Sequence, residues 1–226
     1  MARSVIVTGG FGVLGQSVAK AFADQGDRVA RVDFAASAPT GLDGALDIGG
    51  IDLTDQAATQ AALAKVIEAH EGIDILVNIA GGFTWETLEE GSLESWARMQ
   101  SMNLITAATI TKLTLPELRK SDNGRIVNIG AGAAIKAAMG MGAYAASKSG
   151  VHRLTEALAE ELAGSSITVN AILPSIIDTP TNRKDMPDAD VSQWVQPAAI
   201  ADVILFLASP AARAVTGALI PLTRGG

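Results

Sequence analysis

The chain has 226 residues, a net charge of −7 with scattered basic residues, and no cysteine. It therefore lacks the electrostatic footprint of a nucleic-acid binder and any means of disulfide or thiol chemistry. With 48% hydrophobic but only 4% aromatic residues, it suits one closely packed domain spanning residues 1–226. No apolar run reaches the roughly 18 residues needed to cross a bilayer, so the expectation is a cytoplasmic protein with no membrane partner.

Ser4 to Thr8 is a β-branched run that predicts a strand. It breaks into Gly9-Gly10-Phe11-Gly12-Val13-Leu14-Gly15, after which Val18, Ala19, Phe22 and Ala23 recur at helical spacing. A second strand, Arg28 to Asp33, completes a βαβ unit with a right-handed parallel crossover. Glycines in that turn let backbone amides approach a pyrophosphate at the positive end of a helix, which marks Gly9, Phe11, Gly12, Val13, Leu14 and Gly15 as cofactor-binding candidates. Asp33 closes the second strand, where a carboxylate accepts hydrogen bonds from a ribose and repels a 2′-phosphate. NAD(H) is expected over NADP(H). Arg28 and Arg31 argue the other way, although Arg28 sits at the strand's start.

A Gly, Ala and Ser-rich connection follows with no convincing helix, then a short strand ending at Ile51-Asp52-Leu53. There Asp52 reaches an adenine amino group or precedes the cap of a helix over Ala57 to Ala69. Ile73 to Ile79 reads as a strand covered on both faces, and the small residues after it, with Asn78, Ala80 and Gly81, leave room for a flat ligand. A long helical region from Leu93 to Leu118, a strand at Arg125 to Gly130, a helix from Tyr144 to about Ala163 and a strand at Thr168 to Leu173 come next. Pro174 to Val195 is a Pro and Asp-rich stretch of the kind that forms lids or binding loops, with 183–195 as its substrate-facing part. A helix at Ala198 to Ala208 and a strand at Ala218 to Leu222 complete a doubly wound α/β Rossmann domain with a parallel sheet of about seven strands. The two histidines lack metal-ligand spacing, so no metal is expected, and His70 reads as the cap of a solvated helix end.

Tyr144-Ala145-Ala146-Ser147-Lys148 places a phenol and an ammonium one helical turn apart. A neighbouring cation favours the ionised phenol, which would let Tyr144 exchange a proton nearer neutral pH. The pair alone is also compatible with ordinary packing; its force comes from the cofactor site predicted around it.

These residues together resemble the short-chain dehydrogenase/reductases, single-domain oxidoreductases that move a hydride between a nicotinamide and a substrate. The resemblance runs nearly end to end, through the TGGFGVLG turn, Asp33, Asp52-Leu53, Asn78-Ile79-Ala80-Gly81, Asn103, YAASK, Thr168-Val169-Asn170, Pro174, Thr179 and Val215-Thr216-Gly217. It implies Tyr144 as proton donor or acceptor, Lys148 as the group that tunes it and holds the nicotinamide ribose, and Asn103 as support for a water-linked proton relay. Pro174, the Ile177 backbone and the Thr179 hydroxyl would lie against the carboxamide end of the nicotinamide. It further implies self-association to a homodimer or homotetramer, for which the alanine-rich helices offer faces.

The departures are informative. Thirteen residues before the tyrosine, where the family carries a serine that holds the substrate oxygen, stands Ala131. Val13 replaces a fingerprint glycine, Ser175 replaces the glycine after Pro174, and the ending through Gly225 and Gly226 lacks a common aspartate. The branch that includes dihydropteridine reductase is similar in these respects, in Ala80 to Phe83, in Val151-His152 and in the long loop from Leu173 to Trp194. That likeness implies an NADH-dependent reductase of a planar conjugated small molecule, with Phe83, Trp85, Met139 and Trp194 as an apolar stacking surface beside Ala131. A general alcohol or carbonyl dehydrogenase is the alternative, and a non-catalytic nucleotide-binding sensor the reading outside enzymes.

Overall fold

The computed structural model describes residues 2–224, so Gly225 and Gly226 of the ending lie outside the described residues. Seven strands form one parallel sheet: β1 (Ser4–Thr8), β2 (Arg28–Val32), β3 (Leu46–Ile48), β4 (Ile75–Asn78), β5 (Arg125–Ile129), β6 (Thr168–Pro174) and β7 (Leu219–Leu222). Their order is β3-β2-β1-β4-β5-β6-β7. The direction of winding reverses between β1 and β4, and such a reversal opens a crevice beyond the carboxyl ends of the strands.

Helices cover both faces because strand residues alternate sides with a period of two. Val5, Val7, Ile75 and Val77 point to one core with Leu14, Val18 and Phe22 of α1 (Val13–Asp24) and, from the last long helix, Ile200, Ile204 and Leu207. Ile6, Leu76 and Ile126 point to the other, against Leu63 and Val66 of α2 (Gln56–His70) and residues of the helices after β4 and β5. With both faces buried, the strands read as apolar runs rather than alternating ones.

Three elements depart from the sequence-based expectation. The third strand lies at Leu46–Ile48 and stops before Ile51-Asp52-Leu53, because the chain turns at Gly49-Gly50, where Gly50 has φ +74°. Its register puts Asp47 beside Arg31, which neutralises a buried guanidinium. The region 93–118 is α3 (Leu93–Met99) and α4 (Thr106–Leu118) joined by a π-helical stretch over Gln100–Ile105, a widening often found at functional sites. The stretch after β6 is not bare loop, since it contains α6 (Pro180–Asp185) and a 3₁₀ turn at Val191–Gln193. Between α4 and α6 lies α5 (Gly142–Glu161), which carries Tyr144 and Lys148, and α7 (Pro197–Leu207) precedes β7. Among the described residues no helix is long and apolar enough to cross a membrane.

His70 does not cap a solvated end. The last turn of α2 packs under the sheet, and its ring Nδ1 meets Ser4 Oγ at 3.1 Å with 5% of the residue exposed.

Candidate active site

A cleft of about 860 Å³ opens where the sheet reverses. Gly9, Phe11, Gly12, Val13, Leu14, Gly15, Asp33, Leu53, Ala80, Gly81 and Thr179 line it. The glycines are required by space as well as conformation. Gly9 has φ +62° and a Cβ there would stand 2.9 Å from Ala80 N, while one on Gly15 would collide with the Gly9 carbonyl. Gly12 caps α1 without a side-chain hydrogen bond, so the helix presents its first amides to the cleft. Thr8 Oγ1 accepts from Ile79 N at 3.0 Å and Ala80 N at 3.1 Å, locking the facing wall to β1. The cradle therefore fits a dinucleotide pyrophosphate.

Asp33 Oδ2 accepts from Phe11 N and Oδ1 from Ala35 N, both at 2.9 Å, so the carboxylate is fixed at the rim. Arg31 is 1% exposed, donates to both Asp47 oxygens at 2.7 and 2.6 Å, and lies over the Phe11 ring. Arg28 lies at the opposite end of β2, 3.9 Å from Glu71. Among the described residues, neither arginine nor any lysine lines the cleft.

Two cofactor candidates are placed elsewhere. Asp52 turns back on its own loop, accepting from Thr54 N and Oγ1 at 2.9 and 2.7 Å, which also lowers its pKa; its neighbours Ile51 and Leu53 form the wall instead. Asn78 is buried, its Nδ2 donating to Thr111 Oγ1 at 3.0 Å and Asn128 Oδ1 at 2.9 Å, so it ties β4 to β5 and α4. Phe34, Ala35, Ser37 and Pro39, missed by sequence reasoning, border the cleft just past Asp33. So do Met102 and Thr106, whose spacing of four on one helical face was the available signal.

A second cleft, of about 880 Å³, contains Tyr144, Lys148, Ala131, Phe83, Trp85, Pro174 and Ile177. The two clefts meet at Gly81, where a Cβ would stand 3.4 Å from Lys148 Nζ. Lys148 Nζ donates to Ile129 O at 2.9 Å, and burial pulls its pKa down to about 8. The Tyr144 hydroxyl is pushed up to about 12 by burial, opposite to the shift expected from a neighbouring ammonium. Desolvation dominates, and the lysine is held by β5. Tyr144 is thus a protonated phenol at neutral pH, with the Phe83 ring edge-on to it at 4.9 Å.

Asn103 is 1% exposed and its amide is fully engaged. Oδ1 accepts from Gly82 N at 2.9 Å, and Nδ2 donates to Gly82 O at 3.1 Å and Ser147 Oγ at 2.9 Å. The side chain clamps the 80–82 wall to α5. Two stacking candidates also move. Trp194 is 3% exposed, drawn inward by the bridge between Ile177 and Val195 that zips the ends of the loop together. Met139 is 77% exposed, because Gly140 (φ +76°) reverses the chain and takes the Trp85 indole against its α-carbon. Met141 and Met186 line the cleft in their place, with Asn182 and Asp185 of α6. Behind it, His152 Nε2 accepts from Ala131 N at 3.3 Å, and burial lowers its pKa.

A single-domain sheet of this order, with a glycine cradle beside a Tyr-x-x-x-Lys helix, defines a dinucleotide-binding oxidoreductase. A family model described as short chain dehydrogenase matches residues 3–190, and the chain belongs to that family. The 3-oxoacyl-(acyl-carrier-protein) reductase of Thermotoga maritima is 32% identical over 97% of this chain and 96% of its own. The 2,5-dichloro-2,5-cyclohexadiene-1,4-diol dehydrogenase of Sphingobium indicum is 32% identical over 99% and 95%. Among solved structures, ligand-free aldohexose dehydrogenase of Thermoplasma acidophilum superposes with a TM-score of 0.90 at 27% identity, covering 98% of this chain and 92% of that one. The 3-ketoacyl-(acyl-carrier-protein) reductase of Brucella melitensis, complexed with NADH, gives 0.89 at 26% identity, covering 98% and 96%.

Proposed function

We propose that the protein is an NAD(H)-dependent reductase of a small, planar, conjugated substrate, with a quinonoid dihydropterin as the concrete candidate. The observation that carries this reading is the placement of Tyr144 in one cleft with Ala131, an apolar residue where a hydroxyl anchor for the substrate oxygen would be expected. Bound NADH would supply the hydride. The Tyr144 phenol supplies the proton, so that quinonoid dihydropterin, NADH and one proton give tetrahydropterin and NAD⁺. A ring nitrogen that gains this proton develops no alkoxide, so no serine hydroxyl is needed at position 131. Lys148 Nζ, near Gly81, would hold the ribose and offset the negative charge left on Tyr144 when it gives up its proton. Phe83 and Trp85 offer ring faces, and Pro174, Ile177 and Thr179 border the two clefts where the carboxamide end would lie.

Preference for NAD(H) is supported by Asp33 at the rim, by Arg31 being committed to Asp47, and by the NADH complex of the Brucella relative. Self-association is supported by Ile105 and Phe206, large apolar side chains left 45% and 50% exposed on helical surfaces. The decisive assay is steady-state turnover of quinonoid dihydropterin with NADH and with NADPH. A rate no higher than the uncatalysed background removes the pterin assignment. A second reading, an alcohol or carbonyl dehydrogenase, is favoured by the activities named for the relatives, and a screen of alcohols and ketones with both dinucleotides separates the two.

A further inference from the structure

The wall of the substrate cleft opposite the β5 end is α6, and two of its side chains, Asn182 and Asp185, face the cleft three residues apart. That spacing puts them on one side of the helix. Asn182 Nδ2 donates to Ile177 O at 2.8 Å, which fixes the orientation of the amide and leaves Oδ1 without a partner among the described residues. Asp185 has no ion pair or hydrogen bond among the described residues, and it stands at the carboxyl end of its helix, where a negative charge gains nothing from the backbone dipole. The other aspartates nearby behave differently. Asp178 is tied to Arg183 at 2.6 and 2.8 Å and to Gln196 at 2.8 Å, and Asp190 to Ser192 at 3.0 and 2.7 Å. The one arginine of α6 is thereby neutralised by Asp178, and among the described residues the only cation lining the cleft is Lys148, buried and donating to Ile129 O.

Building on the planar-substrate reading, we propose that Asn182 Oδ1 and the Asp185 carboxylate form an acceptor pair that reads two adjacent N–H donors on the substrate's far edge, as in the amino-pyrimidinone edge of a pterin. The exocyclic amino group donates to the Asp185 carboxylate and the neighbouring ring N–H to Asn182 Oδ1, while the opposite part of the ring system lies toward Tyr144. The same pair repels anionic substrates, so phosphate-bearing acyl thioesters are disfavoured in this cleft.

The test is fluorescence titration of the NAD⁺-loaded protein with pterin, with lumazine, which carries an oxo group in place of the amino group, and with pterin-6-carboxylate. For the native protein pterin should bind at least about tenfold more tightly than lumazine, the size of one charge-assisted hydrogen bond. In Asp185→Asn the ratio should fall to within about twofold, Asp185→Glu should restore part of it, and NAD⁺ affinity should hold in both because Asp185 lies outside the dinucleotide cleft. Equal binding of pterin and lumazine by the native protein, or an unchanged ratio in Asp185→Asn alongside normal pterin turnover, overturns the acceptor pair alone. Absence of both pterin binding and pterin turnover, with NAD⁺ still bound, overturns the pair together with the proposed function.

Discussion

The turn between β1 and α1 and the segment between β6 and α7 both border the reaction site, but they are built by opposite means. The first is largely a backbone surface: at Gly9 and Gly15 a Cβ would run into Ala80 or the Gly9 carbonyl, and the first amides of α1 face the cleft. The second is a side-chain surface, in which Thr179 caps α6 through Asn182 N at 3.2 Å, Asp178 pins Arg183, and Met186, Asn182 and Asp185 are left to meet a substrate. A backbone surface can recognise only what is common to all dinucleotides. A side-chain surface can change its preference by single substitutions, which is where relatives of about one-third identity are free to differ in substrate.

Tyr144→Phe is the sharpest test of what lies between the two regions. It should lower kcat by about 10²- to 10⁴-fold while NADH affinity, set by the backbone cradle, stays within about twofold. Unchanged turnover would remove the phenol from the mechanism. Trp194→Ala should cost about 3–5 kcal/mol of stability, read as a lowered urea midpoint, because the indole is buried under the loop rather than open to a ligand. A variant of native stability but weakened substrate binding would restore the stacking role expected from sequence. Asp33→Ala should shift the ratio of NADPH to NADH affinity upward by about tenfold, roughly 1.4 kcal/mol, measured by titration with each dinucleotide. An unmoved ratio would mean that the rim carboxylate does not set the preference.

Stability should also depend on pH. Lys148 has its pKa lowered from 10.5 to about 8 in the folded protein, so between those values the unfolded chain holds the extra proton and stability of the ligand-free protein should rise with pH. Tyr144, raised from 10.0 to about 12, acts in the reverse sense, since the folded protein then holds the extra proton and stability falls as pH passes from 10 to 12. Melting temperature should therefore climb from pH 8 to 10. Lys148→Met should flatten the climb without lowering stability at pH 7, because the substitution removes a buried charge whose partner is only a carbonyl. A Lys148→Met variant that keeps the same pH slope would show that the ammonium is solvated in solution.

The glycine turn, the strand-and-helix alternation and the Tyr144–Lys148 spacing were legible because each is a local constraint. A βαβ unit announces itself by apolar runs of fixed length, and Gly9, Gly12 and Gly15 by a spacing that only a tight turn onto a helix requires. Asp33 and Asp52 show where that legibility stops. Both are acids just past strand-like runs, yet one is fixed by Phe11 N at the rim and the other folds back on Thr54. Met139 and Met141 are separated by one residue, Gly140, and it is the left-handed backbone there, packed on Trp85, that turns one out and the other in.

Local order along the chain determined the fold class, the cradle and the helix that carries the phenol, because hydrogen-bonded periodicity and glycine sterics act between near neighbours. Only the folded structure decided that burial, more than the adjacent ammonium, governs the Tyr144 proton, that Arg31 belongs to Asp47, and that Trp194 supports the loop while Asn182 and Asp185 face the cleft. Those outcomes depend on desolvation and on partners far apart in sequence, and both quantities exist only once the sheet has closed its two cores around them.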